Sequence, residues 1–206
     1  MSPCGLVPTV IETLQKTHDP NIHQKHFTIC SRLLAWKGIH LSLQAFNQCK
    51  DLNVGLHIFG SGPEKQKLQA LATNLGIDDR VTFHGHVSRQ KLLEWLPSSI
   101  ALLHPSLQES GGMACLEALA ARVPVICLNH GGPPMLVSGD AGFVISPESP
   151  EQVIKEMSEK MRLLASNPEI HVAMGKRGQE KAINSHTWTV KLNAIYERFN
   201  TTQLKR

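Results

Sequence analysis

A run of polar and glycine residues between positions 104 and 117 carries the side chains best suited to chemistry. Glu109 lies in a segment without helix or strand patterning, and Glu117 lies on a predicted helix. Gly111 and Gly112 precede that helix, so its unpaired backbone N–H groups are expected to face a ligand. Carboxylates accept hydrogen bonds from hydroxyl groups, and amides donate them to phosphate or ring oxygens. The run therefore suits a polyhydroxyl ligand that also carries an anion.

Glu117 has an alternative interpretation as an exposed helix residue. Its neighbours Leu116 and the stretch 118–120 are all apolar, however. A charge on so apolar a helix usually has a partner, because burying an unpaired charge is costly.

Two basic residues, Arg32 and Lys37, follow a predicted strand and precede the helix that begins near Ile39. A cation near a helix N-terminus opposes the helix dipole, typically by ~0.3–1 kcal/mol. A diphosphate between Lys37 and the helix would offset that cost, because helix N-termini and arginine forks both favour phosphate. The alternative is that both residues are solvated surface cations.

The segment Gly60-Ser-Gly-Pro63 resembles the start of a Gly-x-Gly-x-x-Gly turn, but Lys65 stands where the third glycine belongs. We favour an ordinary strand-to-helix turn that needs a positive φ. If the turn is functional, Gly60 and Gly62 let the backbone approach a ligand without a Cβ in the way.

Short apolar runs and amphipathic stretches alternate along the chain. Apolar runs without polar alternation are expected when helices cover both faces of a sheet. This order predicts a doubly wound parallel sheet, a Rossmann-like α/β fold with three α/β/α layers and extra C-terminal helices. Such folds bind ligands at the carboxyl ends of the strands, where the polar segments above lie. The predicted strands are 27–30, 54–59, 81–83, 99–103, 124–128 and 142–145; the predicted helices are 39–49, 63–75, 88–96, 113–121, 150–166, 169–184 and 187–200.

Composition excludes several classes of function. Of the 206 residues, 41% are hydrophobic and 18% are charged, so the chain can bury a core and is neither disordered nor fibrous. Aromatic residues make up 5%, which argues against nucleic-acid binding by base stacking. The net charge of +4 arises in residues 151–206, which hold ten Lys/Arg and six Asp/Glu. We interpret it as solvated helix surface, with an anionic membrane or nucleic acid as alternatives.

Neither a metal nor an organic cofactor is expected. The five cysteines follow no zinc pattern and no Cys-x-x-Cys motif, and reduced thiols in the cytoplasm are the simplest interpretation. His84 and His86 lie two apart on a predicted strand and would point to one face, where they could grip a metal. No cysteine or carboxylate motif accompanies them.

The chain resembles the C-terminal, donor-binding half of a family 4 (group 1) retaining glycosyltransferase of the two-Rossmann-domain (GT-B) type. The resemblance runs from about Phe27 to Phe199 and rests on five motifs in the right order and spacing. The motifs are Ser31-Arg-Leu33 with Lys37-Gly38; His57-Ile-Phe-Gly-Ser-Gly-Pro-Glu64; Arg80-Val-Thr-Phe-His-Gly-His-Val87; Pro105-Ser106 with Glu109, Glu117-Ala-Leu-Ala120 and Pro124-Val-Ile126; and His186-Thr-Trp188 with Tyr196.

The resemblance implies a role for each candidate residue. Arg32 and Lys37 would hold the diphosphate of a nucleotide-sugar donor, Glu109 would bind hydroxyl groups of the donor sugar, and Glu117 would accept hydrogen bonds from the ribose. No metal is required in the family, because cationic side chains and a helix dipole stabilise the leaving diphosphate. The other expected donor-binding residues are Gly60 and Gly62, the backbone of His86 and Val87 at the base, and Ser110, Gly111, Gly112 and Met113 near the sugar and its phosphate.

The sequence departs from the family pattern in three respects. Ser110 and the run 111–113 replace the usual residues, which leaves the identity of the sugar open. Arg122 replaces a glycine just past a helix, which requires a strained cap or a different turn. Residues 1–25 are interpreted as an irregular leader or interdomain remnant with prolines as breakers, because about 26 residues are too few for an acceptor-binding domain. Residues 26–206 are the predicted nucleotide-sugar-binding domain.

The expected function is retaining transfer of a hexosyl group from a nucleotide-diphosphate sugar to a growing glycan or lipid-linked glycan, as in polysaccharide biosynthesis. An N-terminal acceptor-binding domain, in cis or in trans, is the expected partner. The expected location is the cytoplasm, with peripheral association at the inner membrane surface as an extension. A stand-alone nucleotide-sugar-binding module without transfer is one alternative. A dinucleotide oxidoreductase is another, although the incomplete glycine motif speaks against it.

Overall fold

The computed structural model describes residues 4–17, 26–137 and 140–203. Its strands are β1 (His26–Cys30), β2 (Gly55–Phe59), β3 (Val81–Gly85), β4 (Ser99–His104), β5 (Val125–Leu128) and β6 (Gly142–Ile145). Its helices are α1 (Pro8–Thr17), α2 (Ile39–Asn47), α3 (Lys65–Asn74), α4 (Arg89–Trp95), α5 (Met113–Ala120), α6 (Pro133–Val137), α7 (Pro150–Ser166), α8 (Pro168–His186) and α9 (Trp188–Gln203). Every predicted strand and helix is present, with ends that differ by a few residues.

All pairs of neighbouring strands are parallel, and the sheet order is β3-β2-β1-β4-β5-β6. Phe27 of β1 lies level with Leu56 of β2 on one side and with Ala101 of β4 on the other. The chain therefore winds away from β1 in one direction and from β4 in the other. This reversal opens a crevice between the carboxyl ends of β1 and β4, which is where such sheets bind ligands.

Helices cover both faces of the sheet, because successive strand residues point to opposite sides. Leu103 and Ile126 face a cluster that includes α2, α3 and α7. Their neighbours Leu102 and Val125 face a second cluster with α1, α4, α5 and α8. The predicted three-layer, doubly wound α/β fold is confirmed.

The expectation that residues 1–25 are irregular is wrong for residues 8–17, which form α1. Pro8 is the first helical residue, where its missing N–H is not needed and its fixed φ suits a helix. Leu6, Val10 and Leu14 recur every four residues and are buried against the second cluster. Residues 1–3 and 18–25 lie outside the described part of the chain.

Two local features complete the fold. Leu6 forms a bridge with Thr187 at the junction of α8 and α9, so the segment before α1 is joined to the start of the last helix. Arg122, after α5, has a φ of 61°, which confirms the strained cap that its position requires. Within the described residues, no helix is both long and apolar enough to cross a bilayer.

Candidate functional site

The loops that follow β1 and β4 lie against each other at the crevice. Leu107 N donates a hydrogen bond to Trp36 O at 2.8 Å. Gly38 has a φ of 63°, and a Cβ there would lie 2.1 Å from Pro105 O. Only glycine allows this close approach, so the sequence Lys37-Gly38 fixes where the lysine stands relative to the second loop.

Lys37 and Glu109 form an ion pair across the crevice, with Nζ 2.7 Å from Oε2. Both side chains are 16% exposed. The cation before α2 therefore has a carboxylate partner within the protein, which argues against two solvated surface cations. Lys37 has two further N–H donors that a ligand can use.

The Glu109 carboxylate accepts hydrogen bonds on its other oxygen as well. Gly111 N and Gly112 N donate to Oε1 at 3.4 and 3.3 Å. The expectation that these amides stand unpaired toward a ligand is therefore wrong, because the loop folds Glu109 back over the start of α5. The amides that follow, beginning at Met113, still lack acceptors within the helix.

His104 is the third neighbour of Glu109. Its Nε2 lies 3.3 Å from Oε2, a contact that falls short of a regular hydrogen bond. His104 lowers the pKa of Glu109, burial raises it, and Lys37 lowers it again, so the pKa lies well below its usual range. Lys37, with the shorter contact, is the firmer partner. Glu109 is thus a fully ionised acceptor.

Backbone from a third segment fixes the position of Glu109. Gly132 N donates to Glu109 O at 3.3 Å. Gly131 has a φ of 67°, and a Cβ there would lie 1.8 Å from that same carbonyl oxygen. A Cβ at Gly132 would lie 2.5 Å from Ser110 O, although Ser110 itself is exposed. The loop around Glu109 is therefore held by the segment that leads into α6.

Glu117 is buried on α5 and is paired with Arg89, as an apolar helix carrying a charge requires. Arg89 Nε and Nη2 lie 2.7 and 2.6 Å from Glu117 Oε1. Burial raises the pKa of Glu117, and the Arg89 guanidinium opposes that rise. Arg89 is the first residue of α4, which Ser88 caps by accepting a hydrogen bond from Lys91 N.

A cleft of about 420 Å³ opens beside Arg89, at the carboxyl ends of β1, β2 and β3. Of the candidate residues, Arg32, Gly60, His86 and Val87 line this cleft, and Cys30 and Phe59 are part of its wall. Burial raises the pKa of the Cys30 thiol to about 12. The wall therefore presents a neutral thiol, an aromatic ring and the exposed guanidinium groups of Arg32 and Arg89.

The glycine turn after β2 has a packing role. Gly60 has a φ of 136°, and a Cβ there would lie 1.8 Å from Ser31 O; a Cβ at Gly62 would lie 2.3 Å from Leu33 O. The favoured interpretation, a turn that needs glycine for its conformation, therefore describes Gly60. Gly62 instead lies against the backbone of the loop after β1.

His84 and His86 do not act as a pair. His84 Nε2 lies 2.7 Å from His57 Nδ1, and its ring stacks on Phe59. His26 joins them, with its ring centre 4.7 Å from that of His57. Burial lowers the pKa of all three, that of His26 to about 4, so the rings are neutral. The described residues contain no group of three or more His, Cys, Asp or Glu side chains that could hold a metal ion.

Sequence reasoning missed two functional neighbours, Arg89 and His104. Arg89 follows Ser88 as an ordinary charged residue at the start of a helix. Its contact with Glu117 depends on α4 and α5 lying side by side on one face. His104 is the last residue of β4 and the first of the polar and glycine run 104–117. Its residue type alone does not distinguish it from a buried strand residue.

Comparisons with known proteins identify the family. The sequence profile described as Glycosyl transferases group 1 matches residues 10–181. The chain is 34% identical over 137 residues to a D-inositol 3-phosphate glycosyltransferase of Streptomyces griseus subsp. griseus, an alignment covering 66% of this chain and 28% of that protein. It is 28% identical over 193 residues to N-acetyl-alpha-D-glucosaminyl L-malate synthase of Bacillus anthracis, covering 93% of this chain and 46% of that protein.

A solved structure agrees with the fold. The pneumococcal O-GlcNAc transferase in complex with UDP and GlcNAc superposes with a TM-score of 0.74 at 20% identity, over 90% of this chain and 37% of that one. This chain thus spans less than half of the length of each of these relatives. Because the family profile covers most of its residues, the chain belongs to the group 1 glycosyltransferases.

Proposed function

We propose that this chain binds the nucleotide-diphosphate sugar of a group 1 glycosyltransferase and takes part in retaining transfer of the glycosyl group. The observation that carries the proposal is the Lys37–Glu109 pair, which joins the loops after β1 and β4 across the crevice. A cation and an ionised acceptor at that point match a ligand with phosphate at one end and hydroxyl groups at the other.

The diphosphate would lie between Arg32 and Lys37. Arg32 lines the cleft, and Lys37 can keep Glu109 on one N–H while it donates two others to phosphate. First-turn amides of α5, beginning at Met113, would add the positive end of a helix dipole. Together these groups would stabilise the charge that develops on the leaving diphosphate.

The donor sugar would place hydroxyl groups on Glu109. Its pKa lies well below the usual range and both of its oxygens already accept hydrogen bonds or ion-pair contacts. A carboxylate so engaged is a poor nucleophile, because attack would cost those contacts. We therefore assign Glu109 to positioning of the sugar, with Ser110, Gly111 and Gly112 beside it.

The nucleoside would occupy the cleft. Its base would meet the backbone near His86 and Val87, and its ribose would donate to Glu117. UDP is the nucleotide that we propose, because the structure of the pneumococcal relative holds UDP on the same fold. The acceptor would be a growing glycan or a lipid-linked glycan in polysaccharide biosynthesis, and the location would be cytoplasmic, at or near the inner membrane surface.

An acceptor-binding domain, in cis or in trans, would complete the enzyme. The last helix offers a surface for it, because Leu192, Ile195, Tyr196 and Phe199 are each more than half exposed. Their spacing places them on one side of α9. An apolar stripe of this kind is typical of a surface that meets another protein surface.

Calorimetric titration of the purified chain with UDP, GDP and ADP tests the donor site. We expect selective binding of UDP and a loss of about tenfold or more in Glu117→Ala, since hydrogen bonds to charged groups contribute about 1.5–3 kcal/mol. Arg162→Met, on the opposite face of the sheet, is the matched control and should bind UDP normally. Failure of every nucleotide to bind would overturn the proposal.

Transfer is tested separately with radiolabelled UDP-sugars and a candidate acceptor extract. Labelled glycan formed by the chain, alone or with an N-terminal domain supplied in trans, would establish transferase activity. Binding of UDP without transfer under both conditions would favour the alternative of a nucleotide-sugar-binding module.

A further inference from the structure

We propose that Arg89 is a positioning residue that keeps Glu117 ionised and turns one carboxylate oxygen, Oε2, toward the ribose of the donor. The inference rests on the proposed function, because it concerns how the same site receives its nucleotide. It assigns a role to a residue that neither the family motifs nor the sequence pattern singled out.

The geometry of the pair supports this role. Both Arg89 donors, Nε and Nη2, converge on Glu117 Oε1, at 2.7 and 2.6 Å. A fork-to-fork pair would give one donor to each oxygen. Here no described residue donates to Oε2. The pair therefore leaves one acceptor oxygen available while it restrains the carboxylate through the other.

The burial of the two partners differs in a way that fits the same role. The Glu117 side chain is 6% exposed, whereas that of Arg89 is 52% exposed. Arg89 also lines the cleft together with His86 and Val87. The ribose of a nucleotide in the cleft would thus reach the Glu117 carboxylate that Arg89 holds.

Removing Arg89 would leave Glu117 among groups that do not favour its charge. Its helix packs in an apolar cluster with α1, α4 and α8. Among the described residues, the other titratable groups that interact with Glu117 are the thiols of Cys30 and Cys4, and the charge of Glu117 raises the pKa of both. Lys191 acts on Cys4 at the edge of this region. Burial would then dominate, and Glu117 would take up a proton at a higher pH.

The test compares Arg89→Met, Arg89→Lys and Glu117→Gln by titration with UDP at about pH 6 and about pH 8.5. Arg89→Met should weaken UDP binding about tenfold or more at the lower pH and much less at the higher pH, because Glu117 ionises again. Arg89→Lys should restore most of the affinity at the lower pH. In Glu117→Gln, the further change Arg89→Met should have little effect.

A second measurement does not depend on nucleotide binding. NMR of carboxyl-labelled glutamate should show that Glu117 titrates at a higher pH in Arg89→Met than in the parent chain, with Arg162→Met unchanged. Failure of the parent chain to bind any of UDP, GDP and ADP would overturn the proposed function, and this inference with it. If UDP binds but the loss in Arg89→Met is equal at both pH values, or Glu117 titrates unchanged, the inference alone is wrong.

Discussion

Glu109 and Glu117 both meet a cation, but the loop that carries Glu109 and the helix that carries Glu117 treat their charges in opposite ways. Glu109 stands where two strand-end loops meet, and it receives Lys37, two backbone amides and the edge of His104. Glu117 stands in an apolar cluster and receives Arg89 on one oxygen. The pKa is lowered in the first case and raised in the second.

This comparison shows that the position of a carboxylate in the fold affects its pKa more than the presence of a nearby cation does. Loops at the carboxyl ends of parallel strands bring backbone donors from several segments to one point. A helix face inside a cluster has its own backbone groups occupied, so only side chains can help. Glu109 therefore has a fixed charge, whereas the charge of Glu117 depends on one partner.

The largest effect is expected from Gly131→Ala, which attacks the backbone support of Glu109. Both the positive φ and the overlap with Glu109 O oppose a side chain there. We expect a loss of about 3 kcal/mol or more in the free energy of unfolding, together with weakened UDP binding. Urea unfolding and calorimetric titration measure these changes.

Gly76→Ala is the matched control for that prediction. Gly76 has a φ of 64°, yet a Cβ there meets nothing within 4 Å. It should cost about 1 kcal/mol from backbone strain alone and leave UDP binding intact. Equal losses in the two variants would show that the segment before α6 does not support Glu109.

The next prediction concerns Lys37, the cation that pairs with Glu109. Lys37→Met removes the ammonium and leaves Glu109, 16% exposed, with weaker partners. We expect a loss of about 2 kcal/mol in the free energy of unfolding, since a hydrogen bond between charged groups is lost. Lys67→Met breaks the exposed Lys67–Glu64 pair and should change it by less than about 0.5 kcal/mol. Chemical unfolding of both variants measures these changes. Similar losses of unfolding free energy in Lys37→Met and Lys67→Met would contradict the expectation that the pair at the crevice is the stronger one.

A third prediction compares Glu109→Gln with Glu117→Gln as a function of pH. Because its folded pKa is lowered, the Glu109 charge stabilises the fold above about pH 4.5 and that contribution is lost on acidification. Glu109→Gln should therefore cost about 1–2 kcal/mol at neutral pH and less in acid. Glu117, with a raised pKa, destabilises the fold when charged. Glu117→Gln should be neutral or stabilising at neutral pH and lose that advantage in acid.

Thermal unfolding of both glutamine variants between neutral pH and about pH 3 measures the two trends. The essential result is their opposite sign relative to the parent chain. Changes of the same sign at neutral pH would mean that Arg89 stabilises Glu117 as fully as Lys37 and the amides stabilise Glu109.

The sequence predicts one side of this contrast better than the other. The apolar runs and the polar segments after them place Lys37 and Glu109 at strand ends, and parallel strands bring those ends together. The contact between them also requires that β1 and β4 be neighbours in the sheet, and no local sequence pattern predicts this strand order. Residue type and helix position mark Glu117 as needing a partner, but a charged residue at the start of α4 looks like any solvated one.

The missed helix α1 has a different cause. A proline such as Pro8 indicates a break in a helix, although a proline at the first helical position starts a helix as readily as one elsewhere ends it. The spacing of Val10 and Leu14 is too short a pattern to decide between the two. The helix α1 is stabilised by packing against α4 and α5, and these contacts are visible only in the three-dimensional structure.

The smallest expected effect extends the comparison to a region where neutral rings replace ion pairs. His26, His57 and His84 lie on neighbouring strands with lowered pKa values, that of His26 about 4. The unfolded chain binds protons at these positions below about pH 6.5, whereas the folded chain does not. Their contribution to stability is therefore full above about pH 6.5 and is lost progressively toward about pH 4.

This window lies above the one expected for Glu109, so the two regions can be separated in a single pH series. His26→Phe keeps a ring against Trp95 and removes one titrating group. The free energy of unfolding of the parent chain should fall between about pH 7.5 and pH 5, and in His26→Phe this fall should be smaller by about 1 kcal/mol. The control His130→Gln changes an exposed histidine and should leave the fall unchanged. An unchanged loss in His26→Phe would assign acid sensitivity in this range to other groups. The three histidines would then contribute packing alone, whereas the protonation of Glu109 and Glu117 would still change the free energy of unfolding.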